Sequence, residues 1–184
     1  MPHRIAVALC LLVAAGSLAG QATSTASRRF DLQVGVGVVG ASSDYRPEKF
    51  KGGAVYATLD VTNHWGAEFV IHQVYTPGND NVGERTYELG GRYHRTYGRF
   101  APYAKAMYGR GVFNYPFDVA NLAYNLFSVG GGTDFALFSH VNLRADYEYQ
   151  HWLSFPPNGL TPQLVTIGVA YHFPGLLGRG ARFK

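Results

Sequence analysis

Between Val141 and Trp152 the side chains sort by parity. Val141, Leu143, Ala145, Tyr147 and Tyr149 fall on one side, and Asn142, Arg144, Asp146, Glu148 and Gln150 on the other. A period of two describes a strand with a different solvent on each face. The second face is too charged for a packed core, and the first is too continuously apolar for water. A closed barrel with lipid outside and a polar lumen uses both.

The same pattern occurs eight times, over 29–41, 52–62, 65–75, 85–95, 102–112, 124–135, 141–152 and 163–173. Each span suits a tilted strand crossing the hydrocarbon layer. The connections alternate: 62–65, 96–101 and 136–140 are short, whereas 42–51, 76–84, 113–123 and 153–162 are longer and hold most of the later prolines. Short turns on the periplasmic side and longer loops outside are the asymmetry of outer-membrane barrels, and an even strand count returns both ends to one side.

The ends read separately from the barrel. His3-Arg4, the apolar run Ile5–Val13 and the small residues Ala14–Ala22 form a secretory signal peptide over 1–22. The barrel domain is expected over 23–173, and 174–184 is expected to be a flexible tail. Cys10, inside the leader, is the single cysteine, which leaves no disulfide or thiol chemistry downstream. Hydrophobic content is 47%, yet no apolar run after Val13 reaches spanning length. The net charge of +4 is modest and not gathered into a stripe, so nucleic-acid binding is not expected.

A soluble ligand-binding barrel also alternates, so the direction of the apolar face needs its own argument. That face carries Phe69, Tyr87, Tyr93, Tyr108, Phe127, Phe135, Tyr147, Tyr149, Tyr171 and Phe173. So many large rings do not fit inside an eight-stranded barrel, whereas outside they form interfacial girdles. The opposite face holds Gly35, Gly37, Gly90, Gly130, Gly132 and Gly168, which suits a crowded interior. The chain is therefore read as an integral outer-membrane protein: an all-β, eight-stranded antiparallel up-and-down barrel, monomeric and without cofactor.

Four segments carry a resemblance: Leu59-Asp60-Val61-Thr62 with Trp65-Gly66, Pro102-Tyr103-Ala104-Lys105-Ala106, Gly130-Gly131-Gly132-Thr133-Asp134, and Leu143-Arg144-Ala145-Asp146-Tyr147-Glu148-Tyr149. In order and spacing the chain resembles the OmpA/OmpX-like small outer-membrane β-barrel proteins from about Arg29 to Phe173. The resemblance implies that Val169-Ala170-Tyr171-His172-Phe173 is the terminal strand signal, with Tyr171 and Phe173 read by the barrel-assembly machinery. Pro174–Lys184 extends past the point where such chains commonly stop.

Parity turns ten charged residues inward: Asp31, Asp60, Glu68, Glu88, Arg92, Lys105, Asp134, Arg144, Asp146 and Glu148. Buried charges persist only when paired, so a salt-bridge network is expected, with Glu88 and Glu148 nearer mid-barrel and the rest toward the periplasmic end. Five acids against three bases in that end call for water, His72 or a protonated carboxylate. A network across so narrow a bore fills it, giving a structural or surface-interaction role; a gated narrow pore is the alternative. A lipid-A-modifying enzyme is a further alternative, since His151 and Ser154 lie at the outer rim near Glu148. Glu148 and His151 differ in parity, however, and Ser139-His140 falls on a periplasmic turn. His64, His72 and His94 lack metal-ligand spacing, and Gly130–Gly132 reads as close packing in a strand. The loop aromatics Tyr45, Phe50, Phe113, Tyr115, Phe117 and Phe155 are expected to form an upper belt in the headgroup layer. Expected partners are outer-membrane lipid and lipopolysaccharide, the assembly machinery, and an external partner at the loops.

Pro174 cannot donate to a strand ladder, so deleting 174–184 should leave assembly intact while Phe173→Ala impairs it. Heat-modifiability on gels after expression reads both.

Overall fold

The computed structural model describes residues 31–77 and 82–173. The signal-peptide reading, Arg29 and Phe30 of the expected first strand, and the tail 174–184 lie outside these residues. Eight strands follow in chain order: β1 Asp31–Ser42, β2 Lys49–Asp60, β3 Trp65–Tyr75, β4 Gly83–His94, β5 Phe100–Asn114, β6 Asn121–Phe138, β7 Val141–Trp152 and β8 Gln163–Phe173. Each pairs antiparallel with its sequence neighbours, and β1 pairs with β8, so the sheet closes into an up-and-down barrel.

Strands β3, β7 and β8 occupy the expected residues. Strands β5 and β6 run further, because Phe113 and Asn114 still pair with Leu122 and Asn121 after the outward face has ceased to be apolar. A register shift between Ala136 and Phe138 bulges the other end of β6.

Register fixes the tilt. The row that starts at Leu32 passes through Leu59, Ala67, Gly91, Ala106, Val129, Tyr149 and Gln163, and re-enters β1 at Ser42, ten residues further on. Rows therefore climb by about one residue per strand, the stagger that closing a small barrel demands.

The outer wall is apolar through its middle. Val36, Val38, Leu89, Tyr108, Val129, Val165 and Ile167 are exposed on it, the apolar band a membrane barrel turns to lipid. Trp65 and Tyr93, Phe100 and Phe135, and Tyr171 and Phe173 make ring pairs at the end carrying the short turns 61–64, 95–99 and 139–140. This aromatic girdle marks the periplasmic interface. The longer connections 43–48, 115–120 and 153–162 lie at the other end, together with the β3 and β4 termini Tyr75 and Gly83.

Ile167 is 62% exposed and pairs with Val38 and Ala145 in mid-wall. Ile167→Arg should cost about 2–4 kcal/mol of folding free energy in a bilayer, against about 0–1 kcal/mol for Gln163→Arg at the rim. Urea titration in lipid vesicles measures the difference.

Candidate functional site

The same alternation that greases the wall points every Asp and Glu of the described strands into the lumen, and all ten charged residues expected there are buried. Arg144 on β7 lies at the centre. Its Nε and Nη2 donate to the two oxygens of Asp134 at 2.7 and 3.1 Å, its Nη1 donates to Glu68 at 2.8 Å, and its Nη2 donates to Thr58 at 3.2 Å. Arg92 on β4 donates to the same Asp134 at 2.9 Å and to Glu68 at 3.4 Å. The guanidinium of Arg144 also stands over Tyr56, 4.2 Å from the ring centroid, and that of Arg92 over Tyr103 at 4.4 Å. Planar guanidinium groups allow this, because fork bonding occupies the edge and leaves the face for a ring. Tyr56 itself fits because its neighbours across the sheet are glycines: a Cβ on Gly168 would come within 3.0 Å of the Tyr56 hydroxyl.

Lys105 on β5 carries the network upward. Its ammonium donates to Glu68 at 3.1 Å and forms ion pairs with Asp146 at 2.9 Å and Glu148 at 2.8 Å. Tyr103 donates to Asp146 at 2.5 Å. Above it Glu88 accepts from Thr86, Ser128 and Gln150 at 2.6–2.7 Å, with His72 at 3.4 Å. His72, Glu88 and Glu148 could offer a metal ion three ligand atoms within 4.8 Å of one another. Lys105 already neutralises Glu148, however, and the Gln150 amide donates to both carboxylates. Those contacts use the cluster within the protein.

Toward the periplasm two histidines beyond the expected His72 stand beside the acids. His172 pairs with Asp31, and His94 lies 3.5 Å from Asp60. Asp60 is also 3.9 Å from Arg92 Nε. Those two Asp60 separations exceed or reach the limit of a hydrogen bond, and they border a cavity of about 350 Å³ open to that end and lined by Asp31, Asp60, Arg92, His94 and Asp134.

The extracellular half corrects one expectation. Phe50, Phe113 and Phe155 do not form a belt in the headgroups; they are buried inside the barrel mouth, with Tyr45 and Tyr115 packed against them. Phe113 lies 4.7 Å from Tyr45, 4.9 Å from Tyr115 and 5.0 Å from Phe155, centroid to centroid. Beneath them Trp152 is buried and donates its indole N–H to Gln150 at 2.9 Å. Its ring lies where a side chain on Gly111 would be, within 2.6 Å of an added Cβ. Asp44 accepts from the backbone and hydroxyl of Thr161, tying two of the long connections together. Of the six aromatics only Phe117 projects into solvent. Their signal was parity: Phe50 is in phase with Ala54 and Tyr56, and Phe113 with Lys105 and Met107. Phase would also have found Tyr56 and Tyr103.

The remaining candidates stay apart. Glu148 faces in, while His151 faces out and packs on Phe127 at 5.3 Å. His140 stacks on Tyr171 at the periplasmic turn, and His64 lies beside Tyr93. Tyr171 faces outward against Val34 and Val141, and Phe173 pairs with Leu32, so both stand on the girdle. Gly130 is in a strand, its Cβ position 2.5 Å from the Tyr147 carbonyl.

Among curated proteins none matches the sequence. Solved barrels do match in fold. Neisserial surface protein A superposes with a TM-score of 0.63 at 16% identity, covering 78% of this chain and 97% of its own. Ail, the attachment invasion locus protein of Yersinia pestis, gives 0.56 at 16% over 79% and 99%. The N-terminal barrel of Pseudomonas aeruginosa OprF gives 0.53 at 12% over 79% and 98%. Residues 8–173 match the outer membrane protein beta-barrel domain family, and the chain belongs to that family of the bacterial outer membrane.

Proposed function

We propose that this barrel is closed to solutes and serves the outer membrane as a structural and surface-contact protein. The observation that carries the reading is the interlocked set Arg144, Arg92, Lys105, Glu68, Asp134 and Asp146, which spans the bore from β3 to β7 with paired contacts of 3.4 Å or less. A second barrier supports it: the Trp152, Phe113 and Phe155 cluster sits across the outer mouth. A solute would have to break ion pairs in a medium where each unpaired charge is costly, and then part an apolar cluster. The exposed Phe117 and Val119 on the 115–120 connection supply an outer surface for contact.

Planar-bilayer recording on the refolded full chain tests this directly. The expected record is a baseline without steady openings; ohmic channels in the unaltered protein would replace the reading with a narrow pore. Arg144→Ala leaves Asp134 and Glu68 each short of a partner and should cost about 3–5 kcal/mol, the penalty for breaking a buried pair. Urea titration of the variant in vesicles measures it. Unchanged stability with a sharp rise in conductance would make the ion pairs a gate.

A further inference from the structure

Outward-facing charge in the described strands has one sign and one address. Lys49, Lys51, Arg85 and Arg110 are exposed on the wall, and no described strand turns a carboxylate outward. Lys51 sits on β2, Arg85 on β4 and Arg110 on β5, all in the extracellular half. Register places these three at one height. The row through Lys51 passes Tyr75, Gly83 and Asn114. Arg85 lies two residues below Gly83 after two strands, and Arg110 four below Asn114 after three. That descent cancels the climb of the rows, so the cations form a level arc. Asn125, His151 and Gln163 continue the level on the remaining face without a formal positive charge of the Lys or Arg kind.

Two measures locate the arc at the edge of the hydrocarbon. Arg85 is eight residues from Tyr93 in the periplasmic girdle, about 20 Å along the axis for a rise of about 3.3 Å and a tilt of about 40°. That nearly spans the apolar band of an outer-membrane barrel, about 25 Å tall, and long basic side chains reach the rest of the way. Independently, the lumen turns apolar near the same level: Val39, Phe50, Val74, Phe113, Leu126 and Trp152 point inward there. The wall is leaving lipid where the interior becomes an ordinary hydrophobic core. On the same face Arg85 is flanked by the outward-facing Tyr75 and Tyr87.

We infer that the β2–β5 face binds the phosphates of an outer-leaflet glycolipid through Lys51, Arg85 and Arg110. Cations at a headgroup boundary seek anions, and Lys51 on β2 and Arg110 on β5, three strand spacings of about 4.8 Å apart with Arg85 between them, reach one multiply phosphorylated headgroup through their long side chains. Fork-shaped guanidinium groups suit phosphate. The other side of the level carries no Lys or Arg, which makes the binding one-faced. The inference concerns the outer wall and stands whether or not the lumen conducts.

The test uses the full chain refolded into phosphatidylcholine nanodiscs in EDTA, so that no divalent cation bridges headgroups. Retention of diphosphorylated lipid A is counted by native mass spectrometry, beside dephosphorylated lipid A and phosphatidylglycerol. The unaltered protein should retain the diphosphorylated lipid selectively. Lys51→Gln with Arg85→Gln and Arg110→Gln should weaken retention about a hundredfold, following the roughly fivefold that each cation contributes near an anionic surface. Lys51→Arg with Arg85→Lys and Arg110→Lys should keep it, and His151→Gln with Gln163→Ser on the opposite face should not matter. Equal retention by the triple Gln variant, or of the dephosphorylated lipid, would overturn the inference. So would equal retention of phosphatidylglycerol, which would show a general anionic surface rather than a glycolipid site.

Discussion

In a bilayer core no water is present to satisfy a strand edge, so a sheet survives only if its first and last strands pair. Here that closure is the contact of β1 with β8, completed at an offset of ten residues. Everything inside follows from it. Eight strands closed at that stagger leave a bore only wide enough for side chains, and parity decides which ones enter. Glycines then have to yield space to tyrosines, and charges have to be chosen in sets that neutralise one another. The Arg144–Asp134–Glu68 contacts are thus a consequence of closure as much as a cause of stability.

Much of this was legible because a membrane wall writes its pattern at full contrast. In β7 each outward residue from Leu143 to Tyr149 is apolar or aromatic and each inward one polar, so both its ends and its direction could be read. The ten inward charges follow from the same phase. What parity alone does not reveal is which charge meets which. Lys105 and Glu148 on β5 and β7 are separated by β6 and join across the lumen, and such contacts depend on the tilt, which depends on a register that only the closed sheet fixes.

The misreading of the upper aromatics has a physical cause. Above the level of Lys51, Arg85 and Arg110 the alternation keeps its parity and reverses its polarity: Lys49 and Lys51 face out while Phe50 faces in. The wall there meets headgroups and water, and the interior is packed as in a soluble barrel. An apolar residue therefore signals "outside" in the lower part of a strand and "inside" in its upper part. An outward apolar run stops at the reversal, so its pattern ends β5 and β6 short of Asn114 and Asn121 and leaves Phe113 in a loop.

The two halves of the lumen consequently answer different demands. Low in the barrel, where lipid surrounds the wall, the interior can afford charge because the wall has taken the apolar residues, and ion pairs give it definite geometry. High in the barrel the wall is polar, and the interior must supply the hydrophobic packing that holds the long connections down. Trp152 stands at the junction, its ring under Phe113 and its indole N–H bonded to Gln150, which in turn donates to Glu88 and Glu148. Barrels of very different sequence share this fold because closure and alternation ask only for residue classes. The hydrogen-bonded link from Trp152 down to the ion pairs asks for particular side chains, so the individuality of this protein lies along the axis of its lumen and on the one charged arc of its wall.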